Sequence, residues 1–314
     1  MTVMEKIKEL SNNLLFYTGA ISLTAITAGV LLNLIFPKPA LAATVETPSL
    51  PPAFQKLLYP VEKSKSVEIK TPHTVEFITD SNGNKIEILI IPANIKIHAN
   101  KKEKKENSIV YLHGNWGRNP DIIKALSEMG YNVYSPAFPG YSNSTGTPNT
   151  ASINNSAVLT MEYLKKNKKI PLSKTIIIGH SLGGSPVLFL STLEKYGQAK
   201  LATINTFSSI TDIFNEKFNH GGKQDDTFTR SVHPSREYAK NALSPISLFH
   251  SINDEVIPFT HSEKLGATLG ERGKVFSTTG THGTPDMREI MKILEGNVPI
   301  QENKIHQGNN GGPK

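Results

Sequence analysis

Thr175-Ile176-Ile177-Ile178-Gly179-His180-Ser181-Leu182-Gly183-Gly184 is the stretch on which the reading of this chain turns. A short β-branched run, suited to a strand, leads directly into G-x-S-x-G and then into apolar residues at helical spacing. A serine at the tip of so tight a strand-to-helix turn is crowded by its neighbours. The positions two before and two after it must therefore be small, and both are glycine, Gly179 and Gly183. The following helix would aim its first amides at the same point and favour an anion there. The pattern predicts a nucleophile at Ser181. The alternative is a glycine-rich turn with a surface serine, and partners elsewhere in the chain decide between them.

Composition sets the bounds. A chain of 314 residues, 38% hydrophobic and 19% charged, suits one large α/β domain with extensions. The formal charge of +7 raises nucleic acid or an anionic membrane surface as partners. Much of that excess lies in scattered lysines and in Lys101-Lys102-Glu103-Lys104-Lys105-Glu106, a run without interleaved aromatics between two strand-like segments. It reads as a solvated loop, and no nucleic-acid partner is expected. The absence of cysteine excludes disulfides, thiol catalysis and thiolate metal sites.

Residues 1–42 read as a membrane anchor or signal segment. Span 14–36 carries no charge and, at about 1.5 Å per residue, is long enough to cross a bilayer core. A signal peptide cut after Ala40-Leu41-Ala42 is the competing reading, although signal apolar regions run only about 7 to 15 residues. With Lys6 and Lys8 ahead of the span, either version places the catalytic part outside the cytoplasm, anchored or released as a secreted or periplasmic form. Residues 43–65, rich in proline and small residues near their start, read as a linker. The main domain is expected over 66–298 and a disordered polar tail over 299–314.

Within that domain, strand-like residues 67–78 and 86–91 flank Asp80-Ser81-Asn82-Gly83-Asn84, a strong hairpin signal. Strand and helix patterns then alternate. Strands are expected at 108–112, 132–135, 175–178, 202–207, 246–250 and 274–277, with helices at 121–129, 153–166, 181–193, 260–269 and 285–294. A hairpin feeding β-α units predicts a mostly parallel sheet with helices on both faces. Residues 211–241 interrupt the alternation and read as a small lid containing Phe214, Phe218, Phe228 and Tyr238, or equally as a solvated insertion.

Chemistry in such a sheet gathers at the carboxyl ends of the strands. Serine attack needs a base, and the base an orienting acceptor. Of ten histidines, His282 fits best, in a loop between the final strand and the final helix, flanked by Gly280 and Gly283, which are expected to let it turn back. Asp254 comes off the end of the preceding strand, and capping the turn begun at Pro258 is its structural alternative. Ser181, Asp254 and His282 thus stand in the chain order required of a Ser-Asp-His triad on this kind of sheet. The backbone N–H of Asn115, after Gly114, is expected to converge with that of Leu182 on an oxyanion. His113 reads as a brace for that loop, and Trp116 as a wall of an acyl pocket or as buried packing.

The runs His113-Gly114-Asn115, Pro139-Gly140-Tyr141-Ser142-Asn143-Ser144-Thr145-Gly146-Thr147-Pro148 and Gly179-His180-Ser181-Leu182-Gly183-Gly184 resemble the α/β-hydrolase superfamily. Within it they are similar to the Bem46-like and ABHD13-like serine hydrolases. Asn205-Thr206-Phe207-Ser208-Ser209-Ile210 and Asp254-Glu255-Val256-Ile257-Pro258 add to the likeness, which covers residues 67–296. It implies an α/β-hydrolase fold with Ser181 as nucleophile, His282 as base, Asp254 as its orienter, and the Asn115 and Leu182 amides as oxyanion donors. One N-terminal membrane helix is common in that group. Ser251 stands where relatives commonly carry glycine, a departure expected to leave the chemistry untouched.

The expected reaction is hydrolysis of an ester or related acyl bond in a small-molecule or lipid substrate through an acyl-enzyme. An acyltransferase or peptidase with the same triad, or a catalytically silent membrane-tethered binding protein, remains the alternative. No H-E-x-x-H, cysteine cluster or phosphate-binding glycine loop occurs, so neither metal nor cofactor is expected.

Overall fold

Strands that are apolar on both faces must be covered on both sides, and the alternation of strands with amphipathic helices supplies that cover. The computed structural model describes residues 52–65, 67–94, 107–218 and 232–296. Span 14–36, the signal cleavage position, the lysine-rich run at 101–106 and the tail 299–314 lie outside them. Among the described residues no helix is long and apolar enough to cross a membrane.

The chain order is α1 (Pro52–Leu58), α2 (Val61–Ser64), β1 (Thr74–Thr79), β2 (Lys85–Ile91), β3 (Ser108–Leu112), α3 (Pro120–Glu128) and β4 (Asn132–Pro136). It continues with α4 (Thr150–Lys166), β5 (Thr175–His180), a 3-10 turn (Ser181–Gly183), α5 (Gly184–Ser191), β6 (Lys200–Ile204) and α6 (Ile210–Phe218). Next come α7 (Ser235–Lys240), β7 (Ile246–Ser251), α8 (Thr260–Leu269), β8 (Gly273–Thr278) and α9 (Met287–Leu294). The strands form one sheet in the order β1-β2-β4-β3-β5-β6-β7-β8. β2 runs antiparallel to both of its neighbours, and every pairing from β4 to β8 is parallel.

Side-chain alternation divides the interior into two cores. On one face Val110, Leu112, Ile177 and Leu248 pack with Ile153 and Met161 of α4, Val187 and Leu188 of α5, Ala239 of α7 and Leu265 of α8. On the other, Ile109, Tyr111, Ile176, Ile178 and Phe249 meet Ile122 and Leu126 of α3 and Ile290 and Met291 of α9. Burying each such aliphatic side chain contributes about 1.5 to 3 kcal/mol of transfer free energy.

Several element ends differ from the sequence expectation for identifiable reasons. β1 begins at Thr74 rather than 67 because its ladder on β2 starts at Thr74↔Ile90, near the end of β2. β6 stops at Ile204 because Asn205 turns into the left-handed region, φ 51°. α4 starts at Thr150, earlier than expected, because Asn149 and Ser152 cap each other's backbone amides at 2.8 and 2.9 Å.

The expected linker 43–65 is not featureless at its end. α1 and α2 pack onto the domain, Tyr59 between them is buried, and the Ser64 hydroxyl accepts from the Ser142 amide at 3.0 Å. The expected lid 211–241 is described only at its two sides, by α6 and by residues from 232 through α7; Phe228 lies outside the described residues.

Candidate active site

Ser181 sits at the carboxyl end of β5 with φ 53°, a left-handed conformation costing a non-glycine residue about 1 to 3 kcal/mol. The surroundings hold it there. A Cβ on Gly179 would lie 2.1 Å from the Gly183 carbonyl oxygen, and one on Gly183 would lie 2.1 Å from that of Leu112. The crossing of β5, the turn and β3 thus leaves no room for a side chain at either position. The 3-10 turn from Ser181 opens α5, so the amide of Leu182 belongs to the end whose N–H groups lack intrahelical partners.

His282 and Asp254 reach the same point. His282 Nε2 lies 3.1 Å from Ser181 Oγ, and its Nδ1 lies 2.8 and 3.0 Å from the two carboxylate oxygens of Asp254. A carboxylate only accepts, so Nδ1 carries the proton and Nε2 presents its lone pair to the hydroxyl. The Asp254 side chain is fully buried, that of His282 is 13% exposed. Burial by itself would raise the Asp254 carboxyl, but His250, His282 and the Ile257 amide outweigh it and hold the group well below the ordinary carboxylate range. Asp254 also accepts the Val256 and Ile257 amides, each at 2.8 Å, and so caps the turn that leads into Pro258 rather than one begun there. Behind it, His250 donates to the Ile257 carbonyl at 2.8 Å and receives the Ser262 hydroxyl at 2.7 Å.

The loop after β3 lies beside Ser181, where a Cβ on Gly114 would be 3.4 Å from Ser181 Cβ. His113 braces it. Its Nδ1–H donates to the Gly114 carbonyl at 2.7 Å and its Nε2 receives the Phe138 amide at 3.0 Å, while burial pushes the ring down to about 3 and keeps it neutral. The Tyr141 hydroxyl donates to the Asn115 carbonyl at 2.9 Å. Beneath this loop the buried Arg118 pairs with Glu87 and donates to the Ser135 carbonyl at 2.8 and 3.1 Å. Among the described residues no group of three or more histidines and carboxylates is arranged to hold a metal ion.

The sequence matches the prolyl oligopeptidase family over residues 155–283, a stretch that contains Ser181, Asp254 and His282. Bem46 of Schizosaccharomyces pombe is 27% identical over 174 residues, 54% of this chain and 58% of that protein. YfhR of Salmonella typhi is 26% identical over 229 residues, 68% of this chain and 76% of that protein. An α/β hydrolase from Vibrio vulnificus superposes with a TM-score of 0.63 at 17% identity, covering 80% of this chain and 95% of that one. The chain has the α/β-hydrolase fold. It is Bem46-like, and it spans little more than half of the length of Bem46 itself.

In this Bem46-like chain the loop bearing His282 is held by groups that the sequence did not single out as functional. Three consecutive carbonyls are engaged. Asn205 Nδ2 donates to Thr281 at 3.0 Å and His282 at 3.2 Å, His180 Nε2–H donates to His282 at 2.7 Å, and Asn119 Nδ2 donates to Gly283 at 2.7 Å. Burial pushes His180 down to about 4, so its ring stands neutral beside that of His282. Of the two glycines expected to turn the loop, Gly280 does so, with φ 104° and the Thr284 carbonyl 2.3 Å from where its Cβ would be. Gly283 meets nothing and has no left-handed φ. The Ser251 amide, a main-chain group that glycine would supply equally, donates to Asn205 Oδ1 at 2.7 Å.

Trp116 is not buried. It is 63% exposed, with the Lys63 ammonium of α2 over its ring at 4.4 Å, which corrects the packing reading and leaves the pocket reading open. Little in the sequence marked the loop clamp, because Asn205 falls inside the strand expected at 202–207; the tolerance of asparagine for positive φ was its one distinguishing property.

Proposed function

We propose that this hydrolase cleaves an ester or related acyl bond of a small-molecule or lipid substrate through Ser181, His282 and Asp254. The observation carrying the reading is the unbroken hydrogen-bonded line from Ser181 Oγ through the His282 ring to the buried Asp254 carboxylate. Ser181 Oγ attacks the acyl carbonyl as its proton passes to His282 Nε2. The charge formed on the carbonyl oxygen is stabilised by the amides of Asn115 and Leu182, and the imidazolium by Asp254. Collapse expels the alcohol, which takes the proton from His282, and leaves an acyl-serine. Water then attacks the acyl carbon, giving its proton to the same nitrogen, and the acid departs as Ser181 regains its hydrogen.

The match to the prolyl oligopeptidase family favours a second reading, cleavage of a peptide by the same three residues. The test for both is one assay series. Full-length protein and Ser181→Ala are compared on p-nitrophenyl esters of several chain lengths, on aminoacyl and prolyl anilides, and with a fluorophosphonate probe. Labelling of Ser181 with ester turnover supports the esterase reading, and anilide turnover above ester turnover the peptidase one. An inert wild type that the probe also fails to mark would refute both. For location, the charge-free span 14–36 supports a tethered enzyme; recovery of the full-length mass from carbonate-washed membranes is expected, and a mature chain beginning at Ala43 would show signal cleavage instead.

A further inference from the structure

The side chains of Asn205 and Thr206, at the end of β6, touch the loops of all three residues of the proposed triad, although neither approaches the reacting atoms. The Thr206 hydroxyl donates to the Ser181 carbonyl at 2.7 Å. Asn205 Oδ1 accepts the Ser251 amide at 2.7 Å, three residues before Asp254, and its Nδ2 lies 3.2 Å from the Ser251 hydroxyl. The same Nδ2 donates to the carbonyls of Thr281 and His282. Because a backbone N–H can only donate, the Ser251 amide fixes which end of the side-chain amide is oxygen and aims the NH2 at the loop of the base. Asn205 is wholly buried, its own amide is held by the Phe249 carbonyl at 2.9 Å, and its φ of 51° turns the side chain back across the ends of β6 and β7.

Resting on the serine-hydrolase reading, we infer that Asn205 is the positioning residue of the site, setting the His282 imidazole between Asp254 and Ser181 by tying the loops of acid and base together. A backbone displaced by a fraction of an ångström at residue 282 would lengthen both ring contacts at once. An alanine would lose every one of these side-chain bonds. Aspartate would keep an acceptor for Ser251 but set a carboxylate against two carbonyl oxygens.

The experiment uses full-length wild type, Ser181→Ala, Asn205→Ala and Asn205→Asp. Three quantities are read: fluorophosphonate labelling rate, kcat and KM on p-nitrophenyl butyrate, and the downfield Nδ1–H proton resonance of His282. Both Asn205 variants are expected to label at least about tenfold more slowly, and to lose about ten- to a hundredfold in kcat with KM little changed. Their downfield resonance should broaden or vanish while the melting transition stays cooperative. Rates within about twofold of wild type, a loss confined to KM, or an unaltered resonance would overturn the inference. Loss of folding in both variants would overturn it too, in favour of a purely structural residue. A wild type inert toward both reagents would strike the hydrolase reading alone, because the resonance comparison still decides the placement of His282.

Discussion

The ring of His180 donates its Nε2–H to the backbone carbonyl of His282 at 2.7 Å, so the residue before Ser181 carries the loop of the proposed base. The x of G-x-S-x-G is therefore part of the geometry it precedes. His180→Leu keeps the apolar volume and removes the donor. It is expected to lower kcat about tenfold, the worth of one buried hydrogen bond, with KM unchanged. Steady-state kinetics on a chromogenic ester check this, and an unchanged kcat would show that Asn205 holds the carbonyl without help.

Asp254→Asn retains an acceptor for the Val256 and Ile257 amides, so the turn should survive. The side-chain NH2 would face His282 Nδ1, or the ring would adopt the other tautomer and offer Ser181 a proton instead of a lone pair. A loss of about 10⁴ in kcat is expected, as for the equivalent change in Ser-His-Asp proteases. A loss of only a few-fold would mean that another group orients the imidazole.

Two glycines two letters from a candidate catalytic residue or beside one predict opposite outcomes. Gly183→Ala would place a methyl 2.1 Å from the Leu112 carbonyl oxygen and 2.8 Å from that of His113, and should lower stability by 3 kcal/mol or more, about the upper range for overpacking, or prevent folding. Gly283→Ala meets open space and should fall within about 0.5 kcal/mol of wild type with activity retained. Chemical denaturation of the two variants side by side reads the difference directly.

Stability should fall on acidification from near neutrality. Burial pushes His113 and His233 down to about 3 and His180 to about 4, while the unfolded chain takes up protons at the ordinary histidine value near 6.5. The unfolded state thus binds more protons between those limits. Each histidine adds a slope approaching about 1.4 kcal/mol per pH unit as pH drops below about 6.5. Asp254, depressed in the fold, adds its loss only lower, as pH passes down through the carboxylate range. Thermal unfolding between pH 8 and 5 is the measurement, and a flat Tm across that interval would contradict the neutral, buried state of these rings.

Removing the hydroxyl that steadies the loop proposed to bind the oxyanion is expected to act on catalysis more than on folding. Tyr141→Phe loses only the bond to the Asn115 carbonyl, about 0.5 to 1.5 kcal/mol of stability, yet frees the residue whose own amide is proposed to stabilise the transition state. A several-fold drop in kcat with a small change in Tm is the expected pair of readings.

Much of this was legible in the letters because crowding and chain order leave few solutions. Gly179 and Gly183 announce a turn with no room for side chains, and the segments after β7 and β8 offer Asp254 and His282 in the required sequence. The clamp was not legible. Asn119, Asn205 and Ser251 act through partners 46 to 164 positions away, and a lone amide side chain carries no period or spacing to betray it. The start of α4 was missed because its cap uses Ser152 where glutamate or glutamine is the familiar signal. α1 and α2 were missed because proline and small residues ahead of them resemble a tether, while Tyr59 and Ser64 find their partners only in the folded domain.

That last feature bears on how the enzyme should be prepared. Tyr59 donates to or accepts from His233 at 2.7 Å, Gln55 reaches the Pro148 carbonyl at 2.8 Å, and Ser64 lies under Gly117. Trimming recombinant versions to the first strand would strip away a wedge seated against the loop after β3, and would yield a weakened catalyst whose defect is easily blamed on chemistry. A cut made ahead of Pro52 spares it.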